Sequence, residues 1–305
     1  MSESSGIALI LATAFASGFA IFVNYWAVKG FNPFVFTTLK NVAVAVALLG
    51  LIGLLGEFKA LKTLTKKQWL QLAGIGLVGG SIPFLLYFWA LQQTSAVNAG
   101  FLHKTLFVWA TLFAIVFLRE KIGKRFVAGA ALLLAGNYLL FSDFSGFGFP
   151  EAVILLATVL WAAENVWAKH VLRETSGRVV AFGRMFFGSV FMLAFLAVTG
   201  QLGNVLELGG TQWQWVALTA GFLFVYVYTF YSGLKYVAAS RATVLLLLAQ
   251  PVTAALNAVF LGKAPSLEQG LGLFLIVAGV LVVAGVSVAL RALAWKGFAL
   301  APRKG

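Results

Sequence analysis

Ten apolar stretches fill this chain of 305 residues, and each is long enough to cross a membrane as a helix. Hydrocarbon offers no water to unpaired backbone groups, so such stretches pair their own N–H and C=O groups as helices. With 61% hydrophobic and 10% charged residues, the chain has no stretch suited to a soluble domain. We therefore predict an all-α integral membrane protein with ten transmembrane helices, at residues 6–28, 34–55, 70–91, 97–118, 125–142, 150–171, 178–199, 214–234, 241–261 and 268–290.

The basic residues are divided unevenly between the two sides of this arrangement. Seventeen of the 22 Lys and Arg residues fall in alternate loops and the C-terminal tail, whereas the remaining loops contain only two, Lys29 and Lys263. Basic residues collect in short cytoplasmic loops. We therefore predict a multi-pass protein of the plasma (inner) membrane with both termini cytoplasmic. The net charge of +13 then reflects loops beside anionic lipid and does not indicate a nucleic-acid partner.

The region 94–140 recurs at 237–283, displaced by 143 positions. Each half contains five predicted helices, and because five is odd the second copy enters the membrane from the opposite side. We therefore predict two inverted repeats, residues 1–145 and 146–305, within one membrane domain. Inverted repeats are typical of secondary transporters with a site between the halves. Identical residues align without a gap: Ala96 with Ala239, Ala99 with Ala242, Leu102 with Leu245, Val116 with Val259, Gly129 with Gly272, and Gly136 with Gly279.

The motif Phe117-Leu118-Arg119-Glu120-Lys121 ends the fourth apolar stretch, and the spaced glycines 129 and 136 follow it. Basic residues early in the second helix of each half, Lys40 and Arg184, complete a pattern that resembles the drug/metabolite transporter superfamily, in particular its EamA-type ten-helix members. The resemblance implies a metabolite exporter that needs no ATP and encloses a central cavity. Two departures stand out, because the second copy has Lys263 in place of Glu120 and only Pro251 where many members carry a proline in both central helices.

Polar residues recur along one face of the first, sixth and ninth helices. Such residues are costly in lipid and usually face a cavity or another helix. Because corresponding helices of both halves show the pattern, we favour a cavity lining, with polar contacts between helices as the alternative. The three sets are Thr13, Ser17 and Asn24; Thr158, Trp161 and Asn165; and Gln250, Thr253 and Asn257.

Three positive or titratable residues, Lys40, His103 and Lys104, fall in the outer half of the predicted membrane region. No acidic residue lies at matching depth within a helix, although Asp143 and Glu151 lie near the outer helix ends. An uncompensated positive region is suited to a substrate carboxylate or phosphate; snorkelling lysines are the alternative. With nearby deep aromatic residues, the predicted substrate-binding set is Asn24, Lys40, Tyr87, His103, Lys104, Trp109, Trp161, Asn165, Gln250 and Asn257.

Glu164 and Arg184 have matching depths in adjacent predicted helices, to within about 2 Å at 1.5 Å per residue. This match predicts a structural ion pair. The alternative is that Glu164 carries a proton or cation and couples transport to it. Pro83 and Pro251 interrupt helical patterns, and we expect both to kink their helices and to act as hinges for alternating access.

No enzyme, cofactor or metal site is expected from the sequence. It has no phosphate-binding loop, no cysteine and only two histidines. We predict a secondary active transporter that exports a small metabolite, such as an amino acid or another carboxylate-bearing solute, by alternating access with proton or exchange coupling. The alternatives are an exporter of cationic or amphipathic drugs that uses Glu164, and a non-transporting channel or scaffold. A membrane-embedded enzyme would need convergent acid and base groups, which a single deep acid does not supply.

Overall fold

A computed structural model describes residues 2–27, 31–141, 144 and 146–285, and within them it contains helices and connecting loops but no strand. The predicted end of the tenth helix beyond residue 285, the basic C-terminal tail, Lys29 and Asp143 lie outside the described residues. The helices are α1 (Glu3–Ala27), α2 (Pro33–Leu54), α3 (Phe58–Lys62), α4 (Lys66–Gly80), α5 (Ile82–Leu91), α6 (Ala96–Lys104), α7 (Leu106–Leu118), α8 (Lys124–Leu140), α9 (Phe149–Val171), α10 (Gly177–Val198), α11 (Gly210–Leu234), α12 (Ala239–Leu245), α13 (Ala249–Leu261) and α14 (Leu267–Ala284), with 3-10 turns at Leu202–Val205 and Leu246–Leu248.

Nine membrane-spanning candidates are present in the described part of the chain, by length and apolar composition. Three of them are interrupted helices, formed by α4 with α5, α6 with α7, and α12 with α13. The remaining predicted helix, 125–142, corresponds to α8, which has 17 residues. Its rise of about 25 Å is slightly less than the roughly 30 Å of the hydrocarbon core. The integral membrane class is confirmed, whereas the count of ten and the side of the termini stay predictions.

Local sequence explains where several helices begin. Asn32 accepts hydrogen bonds from the backbone N–H groups of Phe34 and Val35, and Pro33 occupies the first position of α2. Ser95 caps α6 in the same way, through the N–H of Asn98. These side-chain oxygens satisfy amide groups that have no partner within the helix. The polar residues between the apolar stretches therefore set the ends of the helices.

Two interruptions occur at matching positions of the repeat, although only one has a proline nearby. In the second half, a 3-10 turn precedes α13, whose first turn contains Pro251. In the first half, α6 ends before Thr105, the residue 143 positions before Leu248. The Thr105 N–H and hydroxyl both donate to the carbonyl oxygen of Leu102, at 3.1 and 2.6 Å, and the N–H of Val108 donates to the Thr105 carbonyl at 2.9 Å. These i-to-i+3 bonds tighten the helix without a proline.

Helices α8 and α14 approach each other most closely at four glycines. A Cβ atom added to Gly129 would lie 2.8 Å from the carbonyl oxygen of Gly279, and one added to Gly136 would lie 2.7 Å from that of Gly272. The repeat relates Gly129 to Gly272 and Gly136 to Gly279. It therefore converts the contact between Gly129 and Gly279 into the contact between Gly272 and Gly136. Exchange of this kind indicates an approximate two-fold relation between the halves. Other packing agrees with it, since α1 packs on α11 while α9 packs on α4 and α5.

We expect the Gly136→Leu variant to be less stable by about 1–3 kcal/mol, because the added side chain must push the α14 backbone away. Reversible unfolding of the purified protein in mixed detergent micelles measures this difference. Gly270→Leu is the matched control, since no atom lies within 4 Å of a Cβ built at that α14 position. Equal stability of the two variants would contradict close packing of α8 on α14.

Candidate functional site

The interruption between α4 and α5 is the centre of a buried polar network. Pro83 has no N–H, so the carbonyl oxygen of Gly79, four residues earlier, has no helical donor. The indole N–H of Trp161 donates to this oxygen at 3.0 Å, and the Nη2 group of Arg184 donates to it at 2.9 Å. The next carbonyl, that of Gly80, accepts from the Asn41 amide at 3.0 Å. Side chains from α2, α9 and α10 therefore hold the break in place.

Glu164 belongs to the same network. Its Oε2 atom lies 3.9 Å from Nε of Arg184, and its Oε1 atom accepts a hydrogen bond of 2.7 Å from the Tyr231 hydroxyl. The Glu164 side chain is 1% exposed and that of Arg184 is 8% exposed. Glu164 also lies directly against Gly79, where any Cβ atom would overlap it. The structure thus gives the carboxylate an opposite charge, a hydroxyl donor and a close-packed backbone, whereas its coupling role stays a prediction.

Three of the predicted substrate-binding residues meet in an aromatic cluster formed by Tyr87, His103 and Trp161. The His103 ring centroid lies 5.0 Å from that of Trp161 and 5.6 Å from that of Tyr87, and the Tyr87 and Trp161 centroids are 5.6 Å apart. The Nδ1 atom of His103 is buried and has no hydrogen-bond partner within the described residues. The cluster brings α5, α6 and α9 together beside the network around Gly79, since both contain Trp161.

The predicted cationic residues Lys40 and Lys104 have no carboxylate partner among the described residues. Lys40 is 8% exposed; its Nζ atom donates to Asn24 at 3.3 Å and lies 4.3 Å from the Phe36 ring centroid. Lys104 is half-buried. The ion pairs found among the described residues do not include either lysine. Glu151, which lies near the outer end of its helix, accepts hydrogen bonds from Thr94, Asn98 and the Gly148 N–H.

Other predicted residues lie apart from this cluster or in contacts between helices. Trp109 donates to Thr105 of its own interrupted helix at 3.2 Å. Asn165 and Asn257 make no side-chain hydrogen bond within the described part of the chain, where Gln250 is 6% exposed with both amide atoms unpaired. Two further members of the polar stripes join helices, since Thr253 donates to the Gly18 carbonyl at 3.0 Å and Thr13 bonds to Thr229 at 2.7 Å. These two threonines fit the interpretation of polar contacts between helices, and the cavity lining stays a prediction.

Sequence reasoning assigned no role to Glu120, although it noted the motif. Its carboxylate accepts from the N–H groups of Ala239 and Ser240, at 2.7 and 3.2 Å, and from the Ser240 hydroxyl at 2.5 Å. These groups begin α12, so Glu120 caps a helix of the other half and its charge is favourable at that N-terminus. The sequence also missed Asn41 and Tyr231. The unpaired carbonyl oxygen of Gly79 could have been predicted from the sequence, because Pro83 lies four residues beyond it and has no N–H to donate.

Further contacts join the two halves at the end of the molecule predicted to be cytoplasmic. Arg178 forms an ion pair with Glu57, and Arg241 forms one with Glu3. With the Glu120 cap, these contacts hold loops of both halves together at this end.

A model of the EamA-like transporter family matches residues 4–142 and 149–285. The chain is similar to an uncharacterized transporter of Archaeoglobus fulgidus, with 27% identity over 63% of this chain and 62% of that protein. It thus spans less than two thirds of that relative. An uncharacterized transporter of Clostridium kluyveri is 27% identical over 90% of this chain and 91% of its own length. The riboflavin transporter ImpX of Fusobacterium nucleatum is 25% identical over 61% of this chain and 67% of its own.

A solved crystal structure has the same fold. It matches with a TM-score of 0.75 at 22% identity, and the match covers 95% of this chain and 99% of the other.

Proposed function

The chain belongs to the EamA-like transporter family, and from this premise we propose that it exports a small carboxylate-bearing metabolite, such as an amino acid, by alternating access. Transport would be secondary, driven by a proton gradient or by exchange. The plasma (inner) membrane, with both termini in the cytoplasm, is the proposed location.

One observation carries the choice of substrate class, namely the two cationic side chains that have no carboxylate partner in the described residues. A charge within a membrane is costly unless it is paired or hydrated. Within the described part of the chain, the Lys40 side chain donates to the neutral Asn24 and to no carboxylate, and Lys104 directly follows His103 of the aromatic cluster. A substrate carboxylate would supply the missing negative charge, and the rings of Tyr87 and Trp161 would contact its apolar part.

The same geometry makes export of a cationic drug through Glu164 the weaker alternative. A cationic substrate would have to compete with Arg184 and Tyr231 for a carboxylate that is 1% exposed. We assign Glu164 to the coupling step instead, as the acid whose ion pair with Arg184 changes during transport. In this proposal the interrupted helices near Pro83 and Pro251 bend, and the contacts at the predicted cytoplasmic end separate when the site opens inward.

A ligand screen followed by a transport assay tests the proposal. We expect amino acids or other organic acids to raise the thermal unfolding temperature of the purified protein, and cationic drugs to leave it unchanged. Riboflavin belongs in the screen because one relative carries that name. The stabilising acid should then show saturable counterflow in proteoliposomes. Stabilisation by cations alone would overturn the substrate class, and flux that does not saturate would support a channel.

A further inference from the structure

An apolar groove lies between α7 and α9 at the end of the molecule predicted to be cytoplasmic. Its volume is about 360 Å³, and its walls are Phe113, Phe117 and Leu118 on one side and Ala163, Trp167 and His170 on the other. The groove extends about 10 Å along α9, from Ala163 to His170. Phe117 is 70% exposed, so the groove opens outward from the helix bundle. In a membrane this opening faces lipid chains.

The backbone at Arg119 departs from what its residue type favours. Arg119 directly follows the groove residue Leu118 and has a φ of 56°, a left-handed conformation that suits glycine. The repeat has Gly262 at this position, with a φ of 64°. An arginine here costs about 1 kcal/mol that a glycine would not. The Arg119 side chain is exposed and forms no ion pair within the described residues, so it is available to a ligand.

A second arginine lies at the same end of the groove. Arg173 follows the groove residue His170 by three positions, just beyond the end of α9, and it is exposed. The ends of α7 and α9 that carry these residues are close together, because the two helices pack on each other. Lys169 is bound to the carbonyl oxygens of Leu234 and Lys235. Arg119 and Arg173 are exposed arginines within three positions of the groove residues Leu118 and His170, and neither is in an ion pair among the described residues.

We propose that the groove binds one acyl chain of an anionic phospholipid, whose headgroup phosphate is held by Arg119 and Arg173. The apolar walls and their opening toward lipid fit a hydrocarbon chain, and the histidine and both arginines lie where a headgroup would begin. Arginine binds phosphate oxygens in a bidentate manner and keeps its charge at any physiological pH. The site is separate from the aromatic cluster, so it is independent of the transported substrate.

Trp167 provides the probe, because bromine atoms on an acyl chain in the groove would quench its fluorescence. The full chain is placed in phosphatidylcholine nanodiscs containing either brominated phosphatidylglycerol or brominated phosphatidylcholine, and Trp167→Phe isolates the signal of this residue. We expect stronger quenching of Trp167 by the anionic lipid. Arg119→Gly and Arg173→Gln should each weaken this preference by about fivefold, as expected for one basic group at an anionic membrane surface.

Arg119→Gly relieves the backbone strain, so a folding defect cannot explain its effect. Lys66→Gln is the matched control, since Lys66 is exposed at the same predicted membrane face, on α4. Ala163→Leu should fill the groove and reduce quenching by both lipids, and added inorganic phosphate should not restore fluorescence. Equal quenching by the two lipids, or equal effects of Lys66→Gln and the arginine variants, would overturn the proposal.

Discussion

Replacement of Arg184 by leucine is expected to lower the free energy of unfolding by about 3–5 kcal/mol, the usual cost of breaking a buried ion pair from one side. The variant leaves the buried Glu164 carboxylate with the Tyr231 hydroxyl as its one remaining donor among the described residues. It also removes one of the two donors to the carbonyl oxygen of Gly79. Reversible unfolding in mixed detergent micelles measures the loss.

The double variant Glu164→Leu/Arg184→Leu separates the loss of stability that comes from breaking the ion pair from the loss that comes from removing the arginine side chain. With no charge left behind, it should recover part of the stability lost in Arg184→Leu alone. Arg125→Leu serves as a control, because Arg125 is exposed near the start of α8 and should change stability little. The single variant Glu164→Leu completes the comparison: if its loss and that of Arg184→Leu simply added in the double variant, Glu164 and Arg184 would not be coupled.

Replacement of Lys104 by alanine is expected to weaken binding of a carboxylate substrate by roughly ten- to a hundredfold, the effect of losing a hydrogen bond to a charged group. Titration of the purified variant with the acid found in the ligand screen measures the dissociation constant. The folded yield should not fall, since no ion pair or hydrogen bond to Lys104 occurs among the described residues. Lys104→Arg should keep part of the affinity, because the positive charge remains.

Lys62→Ala removes an exposed lysine from α3 and controls for the change in net charge. An unchanged dissociation constant in Lys104→Ala would remove this residue from the substrate site. Lys40 would then remain as the cationic candidate. Weaker acid binding by Lys40→Ala would indicate that the site lies at Lys40, and unchanged binding would indicate a different substrate class.

The helical membrane class and the family could be predicted from the sequence because both depend on patterns within it. Apolar length predicts a spanning helix whatever its neighbours are. The displacement of 143 residues relates the glycines of α8 and α14, and the structure pairs Gly129 with Gly279 and Gly136 with Gly272. Helix interruptions were less predictable, because proline is only one of their causes. The break at Thr105 depends on a threonine hydroxyl and on i-to-i+3 bonds that many sequences could form.

The candidate site, like the fold, could be predicted from the sequence only in part. Polar and charged residue types within apolar stretches drew attention to Tyr87, His103 and Trp161, and the structure brings these three together. The same reasoning placed Glu151 near the positive region, and in the structure its carboxylate accepts hydrogen bonds from Thr94 and Asn98. Depth along a helix can be counted from the sequence. The direction in which a side chain points around the bundle depends on neighbours that counting does not reveal.

The sequence alone determined that the chain crosses a membrane as helices, that its halves repeat, and that a few polar groups lie deep within it. Only the tertiary structure decided which groups satisfy one another. Trp161 and Arg184 reach the Gly79 carbonyl across 82 and 105 residues of sequence, and Glu120 caps a helix 119 residues away. Hydrophobic length acts locally, whereas an unpaired carbonyl or helix end takes any donor or acceptor that packing brings within reach. The packing of the helices against one another therefore decides which donor pairs with which acceptor.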